Sequence, residues 1–299
     1  MTIGSGGPPG ARTRQETILA HLARDPSGLV VVCDHAERRH RARTLRLDAC
    51  LAEVPVWWLL DLALAGGTAW LDVDQCTRAA AREDLHRIAT LVGPSRLQLG
   101  TTPGPGGRGA LLEERRPPVD RRTALGLRPP PAPSESTHSP DGDSHTRLLE
   151  SLAAAGVVDQ DLADSPALAL AATGCTACGV CVRACPHEAL SLTHEGGTSV
   201  LVHRATACRG ERQCVTHCPV DALQTTGTIG WAELVAGEPH ELARVPTRRC
   251  ERCRSRFPDD DRALCHLCRA RTGDPFGVHL PDHVLARLGR GADGRRLQP

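Results

Sequence analysis

Two stretches of this chain are one pattern written twice. "CTACGVCVRACP" runs from Cys175 to Pro186 with the spacing C-x-x-C-x-x-C-x-x-x-C-P. Moved forward by 33 residues, it falls on "CRGERQCVTHCP", from Cys208 to Pro219. Cys175 then lies over Cys208, Cys181 over Cys214, Cys185 over Cys218 and Pro186 over Pro219, and "CVRACPHEAL" runs on over "CVTHCPVDAL". A single ligand position differs, where Glu211 stands opposite Cys178. Glu211 is therefore a substitution inside a real metal loop.

Three thiolates within seven residues converge from one turn, and soft thiolates are the ligands that iron–sulfur clusters prefer. In paired runs of this type the fourth cysteine serves the other cluster. The proline after it is expected to open a short helix, where its missing N–H costs nothing. Glu188 and Asp221 would then sit in first turns that favour negative charge.

These residues resemble the bacterial-type dicluster ferredoxin domain, with seven or eight irons, over about residues 165–229. The resemblance implies an α+β fold with pseudo-two-fold symmetry, in which "LSLTHEGGTSVLVHR" forms a hairpin turning at Gly196 and Gly197. It implies a [4Fe-4S] cluster on Cys175, Cys178, Cys181 and Cys218. A second cluster takes Cys185, Cys208 and Cys214, with Glu211 at the position of the missing thiolate. Three readings of Glu211 stay open: a vacant corner on a [3Fe-4S] cluster, a carboxylate ligand to a [4Fe-4S] cluster, or a solvated loop residue with a ligand from elsewhere. A three-iron or labile four-iron cluster is favoured over a stable all-thiolate one.

A further quartet, Cys250, Cys253, Cys265 and Cys268, has the spacing C-x-x-C, eleven residues, C-x-x-C. Two tight loops facing each other would hold a tetrahedral ion in a zinc-ribbon-like module, folded by Zn2+ itself. Rubredoxin-type iron is the alternative, but it usually shows glycine after each knuckle, where this chain has Arg254 and Arg269.

Upstream, residues 12–100 alternate strand and helix patterns, which predicts a small α/β domain with parallel pairing. Helices are expected over 12–24, 54–67 and 77–93, and strands over 28–33, 44–50, 68–76 and 96–100. Cys33, Cys50 and Cys76 each follow a strand, so a parallel sheet would bring them to one edge. "VVVC" and "CLAEVPVWWLLDLALAGGTAWLDVDQC" resemble the small iron–sulfur (delta) subunit family of methyl-viologen-reducing hydrogenases. That family carries further cysteines and holds a two-iron cluster. Here the loops run "CDHAERRH" and "CTRAAARED", so His35 or Asp34 would have to substitute. The competing reading is three small buried thiols of a retired site.

The remaining boundaries follow from composition. Residues 101–146, rich in Pro, Gly, Ser and charge, read as a disordered linker, with a short docking helix over "PVDRRTALGL". The dicluster domain with a leading helix is placed at 147–235, the four-cysteine module at 245–272 and a tail at 273–299. The fold class is thus an α/β domain, an α+β ferredoxin-like domain and a small metal module.

The formal net charge of +1 selects neither nucleic acid nor an acidic membrane. All 36 basic residues are Arg, while Lys, Asn and Tyr are absent, which reads as a GC-rich genome. Asp259, Asp260 and Asp261 offset the arginines of the four-cysteine module, and aromatics for base stacking are scarce, so protein docking ranks above nucleic-acid binding. The N-terminal stretch lacks a signal-peptide core, and Asp61 interrupts the most apolar run, so a cytoplasmic protein without a membrane span is expected. Its fourteen cysteines would then be ligands.

The functional expectation is single-electron relay through two clusters, as a subunit or adaptor of a hydrogenase-like oxidoreductase complex. No residue constellation suggests a catalytic site of its own. The alternative is a redox- or iron-responsive regulator, with a labile cluster as sensor and the four-cysteine module binding a partner or nucleic acid.

Overall fold

The computed structural model describes residues 14–37, 40–100, 109–118, 142–157 and 165–273. They fall into two compact units, divided between Leu162 and Ala163.

In the first unit, β1 (Leu29–Val32) is the centre of a five-stranded parallel sheet. Its neighbours are β2 (Thr44–Arg46) and β3 (Ala69–Leu71), with β4 (Leu97–Leu99) beyond β3 and β5 (Leu111–Glu113) beyond β2. All four residues of β1 are buried, as a strand flanked by parallel neighbours requires. The chain leaves β1 first toward β2 and then returns to its other side for β3. That reversal makes a topological switch point at the carboxyl edge of the sheet, where ligands bind in open α/β sheets.

Helix α1 (Arg14–Leu22) and α2 (Val56–Gly66) pack together, and α2 lies on β1 and β3. Val56 through Ala63 are all buried, so α2 is apolar on every side because it is covered on every side. Each fully buried leucine of this helix contributes about 1.5–3 kcal/mol. Gly67 ends it with φ +94, and a Cβ there would come 2.5 Å from the Pro26 carbonyl oxygen. Only glycine relieves both constraints.

The helix expected over 77–93 is broken into α3 (Thr77–Ala80) and α4 (Glu83–Val92). Arg82, between them, has extended backbone and donates from Nη1 to the Leu51 and Val54 carbonyls at 2.7 and 2.8 Å. Local helical periodicity yields here to a side chain tying the segment to the loop after Cys50.

Two expectations for the region after residue 100 are corrected. Residues 109–118 are ordered: β5 pairs in parallel with β2 and buries Leu112. Three residues with one inward side chain leave almost no pattern in a Pro- and Gly-rich stretch. The helix expected to lead the dicluster domain is α5 (Ser144–Ala155), and it belongs to the first unit, packed on α2. Asp143 caps it, accepting from the Thr146 N–H at 2.8 Å. Ser151 donates to the buried Asp61 carboxylate at 2.9 Å, and the Arg147 guanidinium lies 5.0 Å from the Trp57 ring centroid. A buried carboxylate without such donors would cost several kcal/mol. The docking helix expected over 118–127, past its first residue, and the tail after 273 lie outside the described residues.

In the second unit, β6 (Leu168–Ala172) and β9 (Leu223–Thr228) form an antiparallel pair. The expected hairpin is β7 (Leu190–Glu195) and β8 (Thr198–His203), turning at Gly196 and Gly197. Short helices α6 (Val180–Ala184) and α7 (Gln213–Thr216) lie in the two cysteine loops, and α8 (Trp231–Ala236) follows β9. A long strand, β10 (His240–Arg249), then pairs antiparallel with β8 and carries the chain to β11 (Arg256–Pro258) and α9 (His266–Gly273). The four-cysteine module is therefore the far end of the hairpin sheet, ordered β11-β10-β8-β7. Ser199 and Thr247 share a hydroxyl hydrogen bond of 2.6 Å across that sheet, and Arg256 donates to the Gly196 carbonyl at 3.1 Å.

His203 of β8 is 1% exposed, and burial, with His240 adding to it, lowers its pKa from the usual 6.5 to about 4. The native ring stays neutral where the unfolded chain takes up a proton, so stability is lost as pH falls from about 6.5 to about 4. The loss is at most about 3 kcal/mol. His203→Leu should flatten the acid limb of a denaturation-midpoint profile over that range; an unchanged limb would show that His203 does not govern it.

Candidate metal centres

The two cysteine loops have the same backbone. Ala177 (φ 52) and Gly210 (φ 78), Gly179 (φ 70) and Arg212 (φ 58), and Glu188 (φ 53) and Asp221 (φ 51) are all left-handed, each pair 33 residues apart. Left-handed backbone is costly for residues with a Cβ, and four of these six carry one, so the shared register records one loop geometry built twice. Glu211 sits in an intact copy of the loop. The prolines correct one expectation: Pro186 and Pro219 open tight turns rather than helices. The Glu188 N–H bonds back to the Cys185 carbonyl at 3.4 Å and the Asp221 N–H to the Cys218 carbonyl at 3.3 Å. Glu188 and Asp221 are thus left-handed turn residues, and the helices precede the fourth cysteine of each motif.

Backbone donors are aimed at the sulfurs in the same symmetric way. The Ala189 N–H points at Cys185 Sγ at 3.4 Å, and its repeat mate, the Ala222 N–H, at Cys218 Sγ at 3.2 Å. The Ala177 N–H lies 3.4 Å from Cys175 Sγ and the Leu168 N–H 3.5 Å from Cys208 Sγ. Such donors favour the thiolate.

The sulfurs that act on one another sort into two sets. Burial pushes the Cys181 thiol up to about 11, and Cys178, Cys175 and Cys218 add to it. Cys175 is raised by burial and then by Cys178 and Cys218, against the Ala177 N–H. Cys214 is raised by burial and then by Cys185 and Cys208. Cys218 thus acts on Cys175 and Cys181 of the first motif, and Cys185 on Cys214 of the second. Cys214 and Cys218 are buried in the core between the loops, with Leu190, Leu201, Ala222 and Leu223.

Positions 178 and 211 are the exposed corners of this arrangement. Glu211 Oε1 lies 2.9 Å from His187 Nε2, so its carboxylate is engaged by the residue two places after Cys185. That contact was not legible in sequence, since it joins one loop to the turn of the other.

In the four-cysteine module the ligand sulfurs lie within 4.8 Å of one another, with Cys253 and Cys265 Sγ 3.7 Å apart. A tetrahedral ion with bonds of about 2.3 Å to sulfur needs about 3.8 Å between sulfurs, so one metal ion fits. The Cys253 N–H pulls the Cys250 thiol down to about 6 against burial, and the Cys265 and Arg252 N–H groups assist. The two pairs differ in kind. Cys250 and Cys253 occupy the β10–β11 turn, where Arg254 is left-handed (φ 63), whereas Cys265 and Cys268 sit at the start of α9. The expectation of two facing loops is corrected to one turn and one helix start.

Cys33, Cys50 and Cys76 do converge at the carboxyl edge of the parallel sheet. Cys33 and Cys50 Sγ are 4.0 Å apart, and Cys50 and Cys76 Sγ 3.3 Å. All three are buried. Burial pushes the Cys33 thiol up to about 12 despite the Leu51 N–H. For Cys76 burial also acts upward, but the Ala79 N–H and the neighbouring Cys50, Cys33 and His35 outweigh it and bring the thiol down.

Residues 174–222 match the family model of the 4Fe-4S dicluster domain. No curated protein matches the chain. The matched span covers both loops, α6, the β7–β8 hairpin and α7, and this part of the chain is a ferredoxin-like dicluster domain for iron–sulfur clusters. Among the described residues no helix is long and apolar enough to cross a membrane.

The loop geometry makes opposite predictions at two mirrored positions. A Cβ on Gly210 would lie 2.6 Å from the Pro166 carbonyl oxygen. Gly210→Ala should therefore weaken the second loop by about 1–2 kcal/mol, and Ala177→Gly should relieve the first by about 1 kcal/mol. The rate of cluster loss to an iron chelator, followed by visible absorbance, should rise in the first variant and fall in the second.

Proposed function

We propose that this protein relays single electrons between a donor and an acceptor enzyme, as a subunit or adaptor of an oxidoreductase complex. The observation that carries the reading is the match of residues 174–222 to the 4Fe-4S dicluster domain, supported by the electrostatic influence of Cys218 on Cys175 and Cys181 and of Cys185 on Cys214. Clusters held this way supply one-electron redox chemistry when bound. The chain contributes the thiolates, the N–H groups that stabilise them and the apolar packing that limits water. Cys175, Cys178, Cys181 and Cys218 hold a [4Fe-4S] cluster. Cys185, Cys208 and Cys214 hold a second, and the Glu211 carboxylate, engaged by His187, leaves its fourth corner without a protein ligand. A [3Fe-4S] or labile [4Fe-4S] cluster suits that corner.

The four-cysteine module carries Zn2+ and serves as a rigid docking end of the hairpin sheet. The support is the 4.8 Å grouping of its sulfurs and the continuity of β10 between it and the cluster loops. The resemblance of the first unit to a hydrogenase iron–sulfur subunit supports a large redox enzyme as the partner.

Two variants test the cluster assignment by EPR of anaerobically prepared protein. Glu211→Cys should abolish the three-iron signal of the oxidised protein and give a stable four-iron cluster. Cys218→Ser, although in the second motif, should lose the first cluster and keep the three-iron signal. Loss of the second cluster instead would overturn the interleaving. Salt-dependent binding to DNA or RNA with no electron exchange would favour a regulator.

A further inference from the structure

The three cysteines at the carboxyl edge of the parallel sheet have a fourth companion. A ring nitrogen of His35 joins Cys33, Cys50 and Cys76, so that four ligand atoms lie within 4.8 Å of one another. Each comes from a loop following a different strand, except that Cys33 and His35 share the loop after β1. The position is the switch point of the sheet, between β1 and its neighbours.

We propose that Cys33, His35, Cys50 and Cys76 bind a single tetrahedral Zn2+-class ion. Three lines of geometry support one ion rather than a two-iron core. The sulfur separations of 4.0 and 3.3 Å bracket the roughly 3.8 Å that a tetrahedral ion sets between thiolates. A two-iron core would hold two ligand pairs further apart than all four ligand atoms lie here. Second, every sulfur already meets a backbone N–H: Leu51 N–H to Cys33 Sγ at 3.2 Å, Ala52 N–H to Cys50 Sγ at 3.4 Å and Ala79 N–H to Cys76 Sγ at 3.4 Å. Third, His35 Nδ1 is paired with Asp34 Oδ1 at 3.0 Å. A carboxylate on one ring nitrogen orients the other for a metal, which assigns Nε2 as the ligand atom.

The supporting shell is also built. Gln75 uses its side-chain oxygen to accept from the Glu37 N–H at 3.1 Å and its amide nitrogen to donate to the buried Asp72 carboxylate. It thereby fastens the loop bearing Cys33 and His35 to the loop bearing Cys76. Arg82 does the same for the loop after Cys50. An ion with three thiolates and one imidazole has no free protein corner, so its role is to staple together the loops that follow β1, β2 and β3. His35 is its exposed ligand, beside a cleft of ≈ 430 Å³ that Asp48, Glu53 and Arg78 also line.

The test uses the full chain, purified without oxygen from zinc-supplemented medium. In Cys265→Ser/Cys268→Ser, which disables the C-terminal quartet, one zinc per chain should remain. Its Zn K-edge EXAFS should fit three sulfurs at about 2.3 Å and one nitrogen at about 2.0–2.1 Å. Adding His35→Ala, an exposed change, should remove the nitrogen shell and weaken zinc at least tenfold against a competing chelator, with the iron–sulfur absorbance unchanged. A quartet variant that keeps its iron–sulfur absorbance but holds no zinc would overturn the proposal. So would loss of two irons and two acid-labile sulfides on Cys76→Ser, or a disulfide among these thiols. If the quartet binds no zinc, the wild type would hold one ion and the double serine change would leave it in place, so the two metal sites fail independently.

Discussion

A buried thiol in apolar surroundings resists ionisation, and a thiolate is stable there only with N–H donors or a metal beside it. That constraint organises this protein. Most of its fourteen cysteines stand within reach of a backbone N–H, and the loops are shaped to provide it. Left-handed backbone recurs in the dicluster loops for this reason. Left-handed Ala177 presents its own N–H to Cys175, and left-handed Glu188 and Asp221 are followed by the N–H groups of Ala189 and Ala222 that face Cys185 and Cys218.

The two units use the same chemistry on different scaffolds. In the second, two short loops carry the cysteines, and Cys214 and Cys218 are buried together with Leu190, Leu201, Ala222 and Leu223. In the first, parallel strands deliver cysteines to one edge because every strand points the same way. A hydrophobic helix, α2, covers that sheet, and its one acid, Asp61, accepts a hydrogen bond from Ser151 of α5. The residue that breaks the longest apolar run of the sequence thus anchors a distant helix. The four-cysteine module adds a third scaffold, a strand turn and a helix start, continuous with the hairpin sheet through β10.

Much of the site was legible because ligand spacing is local. The doubled C-x-x-C-x-x-C-x-x-x-C-P run located both loops, the hairpin between them and the anomaly at Glu211. That Cys33, Cys50 and Cys76 each come after a strand followed from pattern as well, although β2 and β3 end four and five residues before their cysteines. Less legible were elements set by distant contacts. The break at Arg82 depends on carbonyls of Leu51 and Val54. The strand β5 depends on a free edge of β2, and β10 on the edge of β8. The turns after Cys185 and Cys218 looked like helix starts because a proline with an acid two residues later is common to both.

What the sequence alone determined is therefore the inventory of cysteines and the identity of the two loops, since covalent spacing limits which thiolates can share a turn. Only the tertiary structure decided that Glu211 faces His187, that α5 belongs with α2, and that a ring nitrogen of His35 gathers with the sulfurs of Cys33, Cys50 and Cys76. Most of those are meetings between segments tens of residues apart. They are settled by which strand edge and which helix face bury the most apolar surface, and no local pattern records that outcome.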